Sequence, residues 1–398
     1  MMSASDPTYP AFPVLAFTGA VLVLIPLPWH FQAWNSGTCL YMIWTALGLL
    51  NLAINSIVWR SSAINYAPIW CDISSRLLVG VGVAIPAASL CINRRLYKIA
   101  TISTVTTTKA HRQRTVMIDL AIGIGIPVLQ MALQFIVEGH RFNIFEDVGC
   151  YPFTYNTWLA YPLSNLWPLV LGLISAVYCV LTLRAFMKRR AQFSEFLSSN
   201  SSLSINRYFR LMALATLELL CTTPISAYGT YINIVDNPLE PWKGFADAHF
   251  NYSHIGQYPS VIWRLNPLTV ISTELTRWSL VFCAFSFFAF FGFADEARKN
   301  YRKAFWAIAK RFGFHPPVSA GTSHVRAPPR PLQMMSSIGS LPAYSPAAPN
   351  SSKFLSTSTL DIKAEKDWSG SPVLDDCSIP DTPTSISGPV HDPEPHAL

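Results

Sequence analysis

Up to Phe293 the chain reads as seven apolar stretches, each about a bilayer long: Ala11–Phe31, Cys39–Val58, Ile69–Ile92, Val116–Val137, Trp158–Phe186, Phe209–Val235 and Leu268–Phe293. An α-helix rises about 1.5 Å per residue and the hydrocarbon core is about 30 Å thick, so roughly 20 apolar residues cross it. The pattern predicts an all-α membrane protein, a seven-transmembrane helix bundle over residues 11–293. No cleavable signal peptide is expected ahead of it. Residues 1–10 lack a positive leader region, and the first run is long enough to stay as an anchor.

The pattern changes after Phe293. Tyr301, Phe305, Ile308 and Phe312 recur at helical spacing among basic residues, which predicts an amphipathic helix on the inner membrane surface over residues 294–314. Residues 315–398 are rich in Pro, Ser, Thr and Ala with little apolar periodicity. Such a segment buries too little surface to offset chain entropy, so a disordered cytoplasmic tail is expected. Its Ser345-Pro346 and Thr382-Pro383 pairs are candidate phosphorylation sites, with an unmodified tail as the alternative. The chain ends Pro395-His396-Ala397-Leu398, which is not a prenylation box.

Charge orients the bundle. The connection after span three carries Arg94, Arg95, Lys98, Lys109, Arg112 and Arg114 without an acid. That after span five carries Lys188, Arg189, Arg190, Arg207 and Arg210 against Glu195, and Arg298, Lys299, Arg302, Lys303, Lys310 and Arg311 follow span seven. The opposite connections hold Glu138, Glu146, Asp147, Asp236, Glu240 and Asp247. Basic loops stay inside, so the C-terminus is cytoplasmic and the short N-terminus, residues 1–10, is outside. Composition agrees, with 51% hydrophobic and 13% charged residues; the net charge of +7 lies between spans, so membrane lipid rather than nucleic acid is the expected partner.

This topology leaves Cys71 and Cys150 as the outer cysteines. A bridge between them would pin the second outer loop to span three, and two buried free thiols are the alternative. Asn251-Tyr252-Ser253 is the glycosylation sequon on the outer face.

Ionisable residues inside spans are costly and normally face the bundle interior. Asp72 and Arg76 lie one turn apart near the outer end of span three and are placed to pair; Glu274 and Arg277 are placed alike in span seven. Glu218, midway along span six, has no partner in its own helix. With the outer aromatics Trp70, Trp158, Tyr161, Tyr228, Tyr231 and Trp263, these charges suggest a polar cavity opening outward for a ligand. Structural ion pairs and interfacial aromatic belts are the competing reading. Pro86, Pro127, Pro168 and Pro224 interrupt spans, and Pro224 is the candidate lever, with Glu218, for a switch in span six. No zinc-ligand set, phosphate loop, nucleophile elbow or catalytic carboxylate pair is legible, so neither an enzyme nor a metal or cofactor is expected. Paired broken helices, the mark of many carriers, are also lacking, though a seven-span transporter or channel stays the alternative.

At the inner end of span three stands Leu90-Cys91-Ile92-Asn93-Arg94-Arg95-Leu96-Tyr97-Lys98-Ile99. It closely resembles the signature of fungal a-factor-type lipopeptide mating pheromone receptors, a branch of class D G-protein-coupled receptors. Trp70-Cys71-Asp72-Ile73, Gly149-Cys150-Tyr151-Pro152 and Phe291-Gly292-Phe293 leading into Glu296-Ala297 support the likeness. It runs from about Pro10 to Phe314, and the tail and two-cysteine arrangement look like basidiomycete mating-type members. The resemblance implies a multi-pass plasma-membrane receptor, a farnesylated peptide pheromone as ligand, and a heterotrimeric G protein as partner; a homo-oligomer is left open. The outer-cavity residues Trp70, Asp72, Arg76, Trp158, Tyr161, Tyr228, Tyr231, Trp263, Glu274 and Arg277 fit such a ligand physically, the aromatics for a prenyl group and the charges for a peptide. The inner residues Arg94, Arg95, Tyr97, Lys98, Arg189, Arg190 and Arg210 would face the G protein, with anionic lipid as their alternative partner. Two motifs of rhodopsin-like receptors are missing: Asn93-Arg94-Arg95 replaces the acid-Arg-Tyr triplet, and span seven has no Asn-Pro-x-x-Tyr.

Overall fold

The computed structural model describes residues 6–101, 109–188, 205–236 and 238–311. The tail from 312 onward, with its Ser-Pro and Thr-Pro pairs, lies outside them, as do Arg189 and Arg190. Among the described residues seven helices are long and apolar enough to cross a membrane: Ala11–Gln32, Ser36–Val58, Pro68–Thr101, Lys109–Val137, Trp167–Lys188, Tyr208–Val235 and Pro267–Phe291, here spans one to seven.

Proline sets several boundaries. Span one breaks into Ala11–Leu24 and Leu27–Gln32 around Pro26. Span five starts at Trp167, nine residues later than its apolar run (167 against 158), because Pro168 suits a first helical turn, where its missing N–H costs nothing. A π-helical turn, Tyr161–Asn165, precedes it and Trp158 lies outside the helix. In span four a π-helical turn at Ala121–Gly125 adjoins Pro127, which lacks the donor a regular ladder would use there. Pro86 and Pro224 instead sit within continuous helices. Span three runs on to Thr101, so Arg94, Arg95 and Lys98 belong to the helix rather than to the connection after it.

Span three is the axis, packing against spans two, four, five and six. In its most apolar window 78% of residues are buried inside the protein, against 22% in span six, although both are apolar enough to cross a bilayer. The main core joins Phe12, Ala16 and Ala20 of span one, Leu49 and Leu52 of span two, Ile85 and Leu96 of span three, and Ala284 and Phe287 of span seven.

The second and third outer loops meet in a small sheet. Phe142–Phe145 (β1) and Gly149–Tyr151 (β2) form an antiparallel hairpin in the second outer loop, and Ile255–Tyr258 (β3) of the third pairs parallel to β1. Trp59, Cys71, Phe142, Ile144 and Cys150 make a small core beneath this sheet. Beyond span seven, Asp295–Arg311 forms the juxtamembrane helix, with Tyr301 against Trp29 of span one at 6.3 Å.

Candidate functional site

The outer end of the bundle is a charged cap. Cys71 and Cys150 form a disulfide with a Cα–Cα distance of 5.1 Å, fixing the β-hairpin to span three. Gly149 lies at φ +90, and a Cβ there would stand 2.6 Å from that of Asn55, so only glycine fits this turn. Asn55 then serves as a local centre. Its amide donates to Ser74 Oγ at 2.8 Å, and Trp70 Nε1 donates to its Oδ1 at 2.8 Å. Trp70 is therefore engaged in holding spans two and three together.

The span-three charges pair differently from the expected Asp72–Arg76 contact. Asp72 bonds Arg141 of the second outer loop, with Arg141 Nε at 3.1 Å. Arg76 bonds Glu138 at the end of span four and Gln134 within it at 2.5 Å. Helical neighbours one turn apart gain little from each other when stronger partners stand across the bundle. Tyr252 donates to Glu138 at 2.9 Å, which ties in the third outer loop. Burial raises the Glu138 carboxyl above its ordinary value despite Arg76 and Tyr252.

A second cluster joins the N-terminal segment to span seven. Arg277 is buried and reaches Glu274 at 2.9 Å and Asp6 at 3.3 Å, with its guanidinium over the Phe12 ring at 4.0 Å. Arg264 stands 3.7 Å from both Asp6 and Asp147, and Asp147 accepts from the Ser61 amide at 3.0 Å. Burial pushes Asp147 up. The same effect on Asp6 is outweighed by hydrogen bonds from Thr8 and by Arg277 and Arg264, which hold it below the ordinary aspartate value. The charges expected to line an outer cavity are thus each paired with residues of other elements or one turn away.

The aromatics divide. Trp263 is buried, donating to the Glu146 carbonyl at 3.2 Å with the Arg264 guanidinium over its ring. Trp158 is exposed, Tyr161 donates to Asn156 at 3.0 Å, and Tyr228 and Tyr231 stack with each other at 6.3 Å on the exposed side of span six. These four do not meet the span-three and span-seven charges. The sequon residue Asn251 is exposed in a turn at φ +58.

Glu218 does have a partner in its own helix: Thr222 donates to it at 2.7 Å. Tyr41 of span two donates at 2.8 Å, and Cys283 of span seven lies 3.6 Å away. Glu218 also borders a small cavity between spans three, five and six, with Pro86, Ser89 and Ser175 in its wall and room of about 10 Å³. That is close to what one water needs.

At the inner end Arg94 is buried rather than surface-facing. Its guanidinium bonds Asp119 of span four at 2.5 Å, and Ser36 donates to the other carboxylate oxygen. A buried arginine needs such a partner, and Asp119 supplies it within the apolar run of span four. Arg95 donates to the Trp34 and Ala33 carbonyls, Tyr97 meets Tyr178 at 5.9 Å, and Lys98 and Arg210 are half-buried nearby. Among the described residues no group of three or more His, Cys, Asp or Glu is arranged to hold a metal ion.

Sequence reading missed Asp6, Tyr41, Asp119, Arg141 and Arg264. Asp119 alone carried a usable signal, as an acid inside an apolar span.

Residues 11–313 match the family described as STE3, Pheromone A receptor. "Pheromone B alpha 3 receptor" of Schizophyllum commune is 54% identical over 306 residues, covering 77% of this chain and 49% of that protein. "Pheromone receptor 1" of Mycosarcoma maydis is 34% identical over 302 residues, covering 75% and 84%. "Pheromone a factor receptor" of Saccharomyces cerevisiae is 25% identical over 309 residues, covering 75% and 62%. The chain thus spans about half the length of the Schizophyllum relative.

Proposed function

The chain belongs to the STE3 pheromone A receptor family and is a multi-pass membrane protein, and from that premise we propose that it is a G-protein-coupled mating pheromone receptor of the plasma membrane. One observation carries the reading: the family match extends over the whole bundle, from the first residue of span one past span seven into the juxtamembrane helix. The transporter reading has no comparable support.

The ligand proposed is a short peptide with a farnesylated C-terminus. Paired charges at the outer cap suit a peptide that trades its own charges into the Asp72–Arg141, Arg76–Glu138 or Asp6–Arg277 contacts. The exposed aromatic surface of Trp158, Tyr228 and Tyr231 suits a prenyl chain arriving from the lipid. Binding would favour an uncapped arrangement, and the difference in affinity between the two arrangements is the signal. Span three touches the cap, the Glu218 cavity and the inner end, so it is the natural route inward. Pro224 would let the inner half of span six move apart from the outer half. Inside, Arg95, Tyr97, Lys98 and Arg210 form the surface proposed to meet the heterotrimeric G protein, and Arg189 and Arg190, outside the described residues, are proposed as further contacts. Arg94 would act behind them by holding span four. Asn251 is proposed as the glycan site, exposed in its turn on the third outer loop.

The test is a reporter assay in fungal cells lacking their own receptor, challenged with prenylated and unprenylated peptides. A response confined to the prenylated peptide is expected. Ligand-dependent flux through reconstituted vesicles, without nucleotide exchange on a G protein, would overturn the reading.

A further inference from the structure

The third outer loop folds over the outer end of span four around Phe135. The Phe135 ring meets those of Phe245, His249 and Tyr252 at 6.1, 5.1 and 5.9 Å. Gly244 at φ +122 and Asn251 at φ +58 bound this fold, in backbone conformations that suit those two residue types.

His249 holds the fold by an unusual contact. Its Nδ1 is 2.9 Å from the Phe245 carbonyl oxygen and its Nε2 is 3.0 Å from the Phe135 carbonyl oxygen. A carbonyl oxygen only accepts, whereas a neutral imidazole carries one N–H and one lone pair; only the doubly protonated ring donates to both. The two acceptors differ in origin. Phe245 opens the short helix Phe245–Ala248, and Phe135 opens the last turn of span four, Phe135–Val137. The Phe135 carbonyl lies in the last turn of span four, where the helix end carries partial negative charge and favours a cation, while the Phe245 carbonyl also accepts the His249 amide at 3.0 Å. The imidazole also stacks on the Phe245 ring at 3.9 Å, a face that attracts positive charge.

We propose that His249 is a proton-operated latch, closing the third outer loop over span four when its imidazole is doubly protonated and releasing it when the ring is neutral.

The neighbouring charges bear on this. Glu138, on the turn after span four, is the carboxylate coupled to His249, and Asp247 is exposed two residues before it. Arg76, the basic group on this side, is bonded to Glu138. Tyr252, at 5.3 Å, contributes an aromatic edge and its hydroxyl is spent on Glu138. A second histidine pair works the other way. His140 stacks on Phe153 at 3.9 Å, lies 5.4 Å from the His254 ring and bonds Asn143 at 2.6 Å. Burial and then His254 depress its proton affinity, so protonating it strains the cap in acid. The latch rests on its own geometry and not on the receptor reading.

Hydrogen exchange tests it on the full chain in nanodiscs of neutral phospholipid. Amide exchange in residues 245–254 would be measured from pH 5 to 8 and normalised to the intrinsic rate at each pH. Protection is expected to fall by about tenfold as pH rises, in line with a cation at a helix C-terminus. His249→Gln should abolish the pH dependence, and His249→Arg, a permanent cation with several N–H donors, should stay protected throughout. The His140→Asn/His254→Asn variant should keep the wild-type direction. Nitrogen-15 shifts of the unsubstituted His249 ring at pH 5 should show both nitrogens protonated, which requires no variant. Equal protection at pH 5 and 8, or an unchanged profile in His249→Gln, would overturn the latch. No pheromone enters this measurement, so its failure is separate from failure of the receptor reading.

Discussion

Arg277 of span seven and Asp6 of the N-terminal segment meet at 3.3 Å, although 271 residues separate them. Both are buried, and the contact ties the N-terminal segment to span seven. Asp6→Asn removes the charge but keeps the shape, so a loss of about 1–3 kcal/mol in unfolding free energy is expected. The Asp6 carboxyl is held below its ordinary value of 3.8. Its contribution is therefore complete above that pH and is lost as pH falls through the lower folded-state value. In a thermal-unfolding series, the gap between wild type and Asp6→Asn should stay constant above pH 3.8 and close below it.

The Cys71–Cys150 bridge spans 79 residues, including all of span four. Loop closure of that length is worth about 4.5 kcal/mol in the chain-entropy treatment. Cys71→Ser should lower thermal stability by an amount of that order and reduce surface display. Reducing agent applied to the wild-type protein should reproduce the stability loss.

Arg94 and Asp119 form a buried pair, so removing one partner strands the other. Asp119→Ala should cost about 3–5 kcal/mol, while the paired apolar change Arg94→Met/Asp119→Leu should cost much less. A double-mutant cycle on thermal stability reads the difference. The same burial means that lost signalling in Arg94→Ala must be compared with surface abundance. Arg95→Ala and Lys98→Ala are better probes of a partner contact.

Tyr41→Phe removes one donor from Glu218 without opening a large void. Because Glu218 is buried, a cost of about 1–3 kcal/mol is expected. Glu218→Gln in the Tyr41→Phe background should recover part of it, since a neutral amide tolerates fewer donors. Thermal melting of the four variants of this cycle checks the coupling.

The sequence by itself determined the seven spans, the basic and acidic sides of the bundle, the juxtamembrane helix and the pair of outer cysteines. Those follow from bilayer thickness and from the cost of charge in hydrocarbon, both of which act on local composition. It placed one charge pair correctly, Glu274 with Arg277 at 2.9 Å, but not the partners of the span-three charges. Asp72 and Arg76 looked like partners at helical spacing, yet each is bonded to a residue more than 55 positions away, Arg141 and Glu138 (separations of 69 and 62). Arg94 looked like a surface residue because it sits in a basic run, but the tertiary packing of span four places Asp119 against it. Nor did apolar runs show which helix faces lie inside, because lipid is as apolar as the core and selects no face. Spans three and six read alike and are buried very differently. The outer sheet stayed invisible too, since its strands of three or four residues are made by pairing across two loops and have no periodicity of their own. Local physics chose the helices and their orientation; contacts between distant segments decided which polar groups became partners.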